Sequence, residues 1–303
     1  MRRTAVGLAA LAVLAVAAPG CGTVLRNVEY ARPGGPKGKP LLLDLYLPKS
    51  EHPAPVILWV HGGGWRRGSK AHCPAVAMVP RGYAVASIDY RLSDEATFPA
   101  QIHDCKAAVR WLRAHAPEYT LDADRIGAWG ASAGGHLVAL LGTTGGVKDL
   151  EGEGLHVGES SRVQAVCDFF GPTDLVALTR AFTRGKADPA HTPMAKLIGG
   201  PVLANQDTAD RANPIRYITA DDPPFLIMHG DRDRLVPVSQ SRLLHGALKK
   251  AGIESTLHVV KGAGHGFGGP AVGAKVVAFF DRHLKKPASP ASAPTTRPAQ
   301  PRE

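Results

Sequence analysis

Apolar runs rich in β-branched residues alternate with stretches of helical period along most of this chain, and that alternation leaves few folds open. The runs "PVILWVH" (55–61) and "YAVASIDY" (83–90) are continuous enough to be strands buried on both faces. An earlier stretch, "LLLDLYLP" (41–48), alternates in part and reads as a strand. The series continues with "RIGAWG" (125–130), "VQAVCDFF" (163–170), "PFLIMHG" (224–230) and "STLHVV" (255–260). Between strands, "FPAQIHDCKAAVRWLRAHA" (98–116) sets Ile102, Cys105, Val109 and Leu112 at helical spacing, with Pro99 suited to the first turn. Further helices are expected over 133–142, 238–251 and 272–284, and "CPAVAMVPRG" (73–82) suits a short helix ended near Pro80. Strand, helix, strand, repeated, predicts an α/β fold: a mostly parallel, twisted sheet of about eight strands with helices on both faces.

Such architectures often keep a single core at 303 residues, and a composition 44% hydrophobic and 20% charged suits one. The expected domain spans 38–285, preceded by an N-terminal linker over 21–37. Two stretches interrupt the alternation, the polar, Gly-rich 143–162 and the longer 173–222. Insertions after strand ends shape the mouths of sites, so both are candidate lids.

Both ends of the chain read differently. The opening "MRRTAVGLAALAVLAVAAPGC" carries Arg2 and Arg3, an apolar run from Ala5 to Ala18, and small residues before Cys21. That layout predicts a signal peptide over 1–20 and an exported protein. The small residues before Cys21 are similar to a bacterial lipoprotein signal, which implies membrane attachment through a lipidated Cys21 and a periplasmic or cell-envelope location. Cleavage that leaves Cys21 a thiol, giving a secreted protein, is the alternative. At the other end, 286–303 is rich in Pro, Ala and Ser without an apolar period, and is expected to be a disordered tail.

Net charge is +10, and +8 once Arg2 and Arg3 are set aside. The basic residues are scattered in pairs with no stripe of interleaved aromatics, which argues against nucleic-acid binding. Cys73, Cys105 and Cys167 fit no zinc spacing. Cys167 lies in an apolar run and reads as an inert core thiol, whereas a Cys73–Cys105 disulfide is left open.

Gly130-Ala131-Ser132-Ala133-Gly134 fits the G-x-S-x-G pattern, between an apolar strand and a helix. A sharp strand-to-helix turn would expose the Ser132 hydroxyl, and neighbours without large side chains let it close. The helix that starts there aims its first amides at the same place. A serine nucleophile needs a base, and His265 in the Gly-rich "KGAGHGFGG", after the last strand, can reach across the sheet's carboxyl end. His136, one turn beyond Ser132, is the rival, read as a packed structural histidine. The base needs a carboxylate to fix its tautomer. Of the two offered by "HGDRDRLVP", Asp233 is preferred and Asp231 is read as a loop brace. Asp174 is an outside candidate whose plainer role is helix capping. The order Ser132, Asp233, His265 is the one that accompanies this elbow. Glycines in "VHGGGW" (60–65) let backbone amides approach a ligand closely. Gly63 and Gly64, with Ala133, would form an oxyanion hole, in which one donor is typically worth about 3–4 kcal/mol. His61 is expected to brace this loop, with Trp65 at the pocket or packed. Asp89, Arg91 and Asp104 are read as a structural ion-pair group.

With these residues assembled, the sequence resembles the α/β-hydrolase superfamily, and more narrowly the bacterial esterases of its hormone-sensitive-lipase and feruloyl-esterase-like branch. The carrying motifs are "HGGGW", "DYRL", "FPAQIHDCKAAVRWLRAHA", "GASAGGHLVALLG", "GPTDL", "HGDRDRLVP" and "GAGHGF", spread over about residues 38–285. The resemblance implies ester hydrolysis through an acyl-serine, with no metal or organic cofactor. Its motif positions carry over to Ser132, Asp233, His265, Gly63, Gly64 and Ala133. The expected substrate is a short-chain or aromatic acyl ester, small or polysaccharide-linked. A peptidase or arylformamidase on the same scaffold, and a non-catalytic binding protein, are the competing readings.

Overall fold

The computed structural model describes residues 15–16, 22–184, 186 and 189–285. Most of the expected signal segment, Cys21, and the tail over 286–303 lie outside the described residues. Among those described, nine strands form one sheet: β1 (Ala15–Val16), β2 (Thr23–Ala31), β3 (Leu41–Leu47), β4 (Ala54–Val60), β5 (Ala84–Ile88), β6 (Leu121–Ala131), β7 (Ala165–Phe169), β8 (Phe225–Gly230) and β9 (Ser255–Val260). Their spatial order is β1-β2-β3-β5-β4-β6-β7-β8-β9. From β5 to β9 every neighbouring pair is parallel, and β1, β2 and β3 join antiparallel at one edge. The fold is the expected α/β class, with eight full strands and the two-residue β1 beside them.

The helices are α1 (Ala100–Ala114), α2 (Ala133–Thr143), α3 (Leu175–Thr183), α4 (Pro193–Ile198), α5 (Gln206–Arg211), α6 (Ser239–Lys250) and α7 (Pro270–Leu284). The 73–82 stretch forms a 3-10 helix over Pro74–Arg81. Alternate residues of each central strand feed two cores. Val56, Leu58 and Val60 of β4 join α1, α2 and α6 on one face. Ile57 and Trp59 join α7 and the 3-10 helix on the other. Both faces of β4 are buried, so its seven residues contain no charge. Among the described residues no helix is long and apolar enough to cross a membrane.

Two expectations need correction, and one point the sequence left open is decided. The span 21–37 is not a linker, because Thr23–Ala31 forms β2 and pairs with β3. Its polar residues are held in the pairing: Arg26 bonds Asp44 Oδ2 at 2.5 Å, and the Asn27 amide bonds Asp44 Oδ1 at 3.0 Å. The segment 143–162 is no lid. It follows the end of α2 rather than a strand end, and is tied to α1. Lys106 donates to Glu151 Oε1 and the Thr144 carbonyl, and Arg110 and Arg113 bond the Glu151 and Ser160 carbonyls. The Cys73–Cys105 disulfide is absent. Cys73, Cys105 and Cys167 are free thiols, and Cys105 lies in the core on one face of the sheet while Cys73 packs against the other.

The carboxyl ends of β4, β6, β8 and β9 all point to one end of the sheet. The opposite end, its foot, receives the start of β2 and the end of α7. There the Gly22 amide bonds the Leu47 carbonyl, and Arg125 bonds the Leu284 carbonyl and that of Pro53.

In β7, Asp168 is fully enclosed. Its Oδ1 accepts the Gly171 amide at 2.9 Å, and its Oδ2 has no partner among the described residues. Burial pushes its carboxyl up to about 7. Between the ordinary carboxylate range and neutrality the unfolded chain has released this proton while the fold keeps it, so stability falls as pH rises through that window. Wild-type protein should therefore lose melting temperature from pH 5 to pH 8 relative to Asp168→Asn, measured by parallel thermal melts.

Candidate active site

Ser132 stands between β6 and α2 with φ 57° and ψ −121°, a left-handed backbone rare for a residue with a side chain. Its amide bonds the Phe169 carbonyl at 2.8 Å, and its carbonyl accepts the His136 amide at 3.0 Å. The turn closes because the flanking residues are small. A Cβ on Gly134 would sit 2.0 Å from the Val60 carbonyl oxygen, so the first turn of α2 lies directly against the end of β4.

His265, in the loop between β9 and α7, reaches that hydroxyl. Ser132 Oγ lies 2.9 Å from His265 Nε2, and His265 Nδ1 lies 2.7 Å from Asp233 Oδ2. A carboxylate only accepts, so Nδ1–H donates to Asp233, and Nε2 is left to accept from the serine. Asp233, in the loop after β8, is immobilised from several directions. Its Oδ1 accepts the Leu235 and Val236 amides at 2.8 and 2.9 Å. His229 Nε2–H donates to the Val236 carbonyl at 2.7 Å and lies 3.2 Å from Asp233 Oδ2, while His229 Nδ1 accepts from Ser241. Phe170 packs edge-on to the His265 ring at 4.7 Å between centroids.

The Gly62–Gly64 stretch follows β4 beside the turn. Gly63 has φ +116°, and a Cβ there would meet the Arg67 carbonyl oxygen at 2.0 Å, so only glycine fits. The Gly63, Gly64 and Ala133 amides donate to no other group among the described residues. All three residues line one groove of about 1070 Å³ with Ser132 and His265. Its far wall comes from α3, α4 and their connection, including Leu178, Phe182 and Met194. Part of 173–222 thus borders the groove, and none of 143–162 does.

Ser132, His265 and Asp233 are therefore brought together, with the glycine amides beside them. The rivals lie elsewhere. His136 is buried, donates from Nε2 to the Ala212 carbonyl at 2.7 Å, and burial lowers its imidazole to about 4. It packs under the Trp65 ring at 5.2 Å, while Trp65 also lines the groove. Asp174 caps α3 by accepting the Ala177 amide. Asp231 braces the β9 loop by accepting the Gly262 amide at 2.6 Å. Arg91 pairs with Asp104 through two nitrogens, and Asp89 accepts the Lys70 amide. His61 bonds the Gly62 carbonyl from Nδ1 at 2.7 Å and stacks on Tyr90. His229 and Phe170 are the contributors that sequence reasoning passed over. Each sits at a strand end, a position shared with many core residues, and only the folded loops turn them toward the acid and the base.

Residues 43–248 match the family model described as BD-FAE. The chain is 33% identical over 239 residues to the esterase LipC of Mycobacterium tuberculosis, an alignment covering 75% of this chain and 57% of that protein. The chain spans about half the length of the curated mycobacterial esterases it matches. Among solved structures it is similar to a truncated carbohydrate esterase from gut microbiota, with TM-score 0.80 and 35% identity, covering 90% of this chain and 100% of that one. It is also similar to the esterase Est2 of Thermogutta terrifontis, with TM-score 0.67 and 28% identity, covering 87% and 91%.

The tight seating of α2 on β4 makes one substitution informative. Gly134→Ala should destabilise the fold by about 1–3 kcal/mol, the usual range for an inserted methyl in a packed site. Urea unfolding measures it, and an unchanged midpoint would contradict the close approach.

Proposed function

The chain belongs to the BD-FAE family of α/β-hydrolases, and from that premise we propose that it hydrolyses carboxylic esters through an acyl-serine. The observation that carries this reading is the chain of hydrogen bonds from Ser132 Oγ to His265 Nε2, 2.9 Å, and from His265 Nδ1 to Asp233 Oδ2, 2.7 Å. His265 Nε2 takes the hydroxyl proton as Ser132 Oγ attacks the ester carbonyl carbon. Asp233 stabilises the imidazolium and holds its tautomer. The negative oxygen of the tetrahedral intermediate is met by the free amides of Gly63, Gly64 and Ala133. His265 then gives its proton to the departing alkoxide. In the second half a water, deprotonated by the same nitrogen, attacks the acyl carbon and releases the acid and Ser132 Oγ–H.

The groove's apolar wall suits short-chain or aromatic acyl groups. The likeness to a carbohydrate esterase supports acyl groups carried on a polysaccharide as substrates. Ser132→Ala should lower kcat/KM on p-nitrophenyl acetate by at least about 10³-fold with an unchanged melting curve. Retention of wild-type turnover would remove Ser132 from the reaction.

Export belongs to the same reading. Arg2, Arg3 and the apolar run from Ala5 to Ala18 support removal of residues 1–20 during secretion, and the small residues ahead of Cys21 support its lipidation. Intact mass of protein expressed in a bacterial host should correspond to a chain beginning at Cys21 with a diacylglyceryl group. An uncut N-terminus would overturn export, and a cut chain without added mass would overturn the lipid.

A further inference from the structure

Several buried or half-buried cations of this protein are matched with acids: Lys70 with Asp44, Arg91 with Asp104, Lys106 and Arg110 with Glu151. The groove instead carries exposed cations. Arg66 and Arg67 follow the Gly62–Gly64 stretch, and Arg234 follows Asp233 directly; all three line the groove, as does Lys186 from the connection between α3 and α4. None has a carboxylate partner among the described residues, and no aspartate or glutamate is among the described residues lining the groove. The two loops arise from β4 and β8, which stand on either side of β6 and its Ser132. Arginines thus reach one groove from both sides of Ser132. Like charges gathered without counter-charge repel one another, and in a cleft with low-dielectric walls they concentrate positive potential.

From this we propose that the site selects esters whose alcohol part carries a carboxylate, as an acyl group on an acidic sugar does. The proposal rests on the ester-hydrolase reading, since it concerns what enters the same groove. The division between acyl and alcohol follows from the lining. Leu178, Phe182 and Met194 offer an apolar wall to an uncharged acyl chain. Arg234 adjoins the aspartate that orients His265, whose Nε2 protonates the departing alkoxide, so it flanks the path of the alcohol. The arginines act on binding and encounter, and the chemical step is unaltered.

The test uses the full chain and two matched pairs: an O-acetylated methyl glucuronoside with its glucoside, and 4-acetoxybenzoate with 4-acetoxybenzamide. Binding to the Ser132→Ala protein is measured by calorimetry, and kcat/KM on the wild type. The charged member of at least one pair should be favoured about tenfold at low salt, the sum of three partly screened contacts, and the preference should shrink as sodium chloride is added. Arg66→Gln, Arg67→Gln and Arg234→Gln combined should bring the ratio close to one, with Arg234→Gln alone giving a partial loss should the triple variant fold poorly. Lys249→Gln with Lys250→Gln, remote from the groove, should leave it unchanged. Preference in the sugar pair alone assigns a saccharide acid, and preference in the aromatic pair alone an aromatic one. Equal binding of both members in both pairs, or a preference that survives loss of the three arginines, overturns the proposal. Should neither member be hydrolysed, the acyl-serine reading fails, and calorimetry still decides the charge preference.

Discussion

Ser132 holds a backbone conformation that costs about 1–3 kcal/mol for a residue with a side chain, and the surrounding structure is arranged to keep it there. Its amide is fixed to the Phe169 carbonyl on β7, and α2 begins so close to β4 that Gly134 has no room for a Cβ. The seating joins two strands that matter together. Gly62–Gly64, whose Gly63 and Gly64 amides have no partner among the described residues, leaves the end of β4, and the serine leaves the end of β6. Displacing one displaces the other. The points from which the hydroxyl and the glycine loop set out are therefore fixed by sheet and helix packing, which is stiff.

The remaining members arrive by longer routes and are held by local bonds. Asp233 comes from β8 and is pinned by two amides, two imidazoles and complete burial. His265 comes from β9 with only a Gly-rich loop to carry it, and relies on Asp233 and Phe170 to fix its ring. Order is passed from the core outward: His229 and Ser241 to the acid, the acid to the base, the base to the serine.

Much of this could be read in the chain. Strands buried on both faces declare themselves by uninterrupted apolar runs, and the small residues around Ser132 declare the turn. Asp233 could be preferred over Asp231 because it lies farther past the strand end. What could not be read was structure set by distant partners. β2 escapes the alternation test because register shifts between Leu25 and Val28, and between Glu29 and Ala31, break its period, and Asn27 has φ 56°. The 143–162 segment has the composition of a mobile loop, but buried Lys106 and Arg110 on α1, more than 40 positions upstream of its Glu151 anchor, fasten it. Charges on a helix face suggest solvent exposure until an acid from elsewhere covers them. His229 looked like any strand-end histidine for the same reason.

The position of Gly22 and Lys285 has a geometric outcome. Gly22 and Lys285 lie at the foot of the sheet, and the groove opens at the other end of the same strands. A tether fixed at either of these residues, whether to a surface or to a fused module, would aim the opening outward into the surrounding medium.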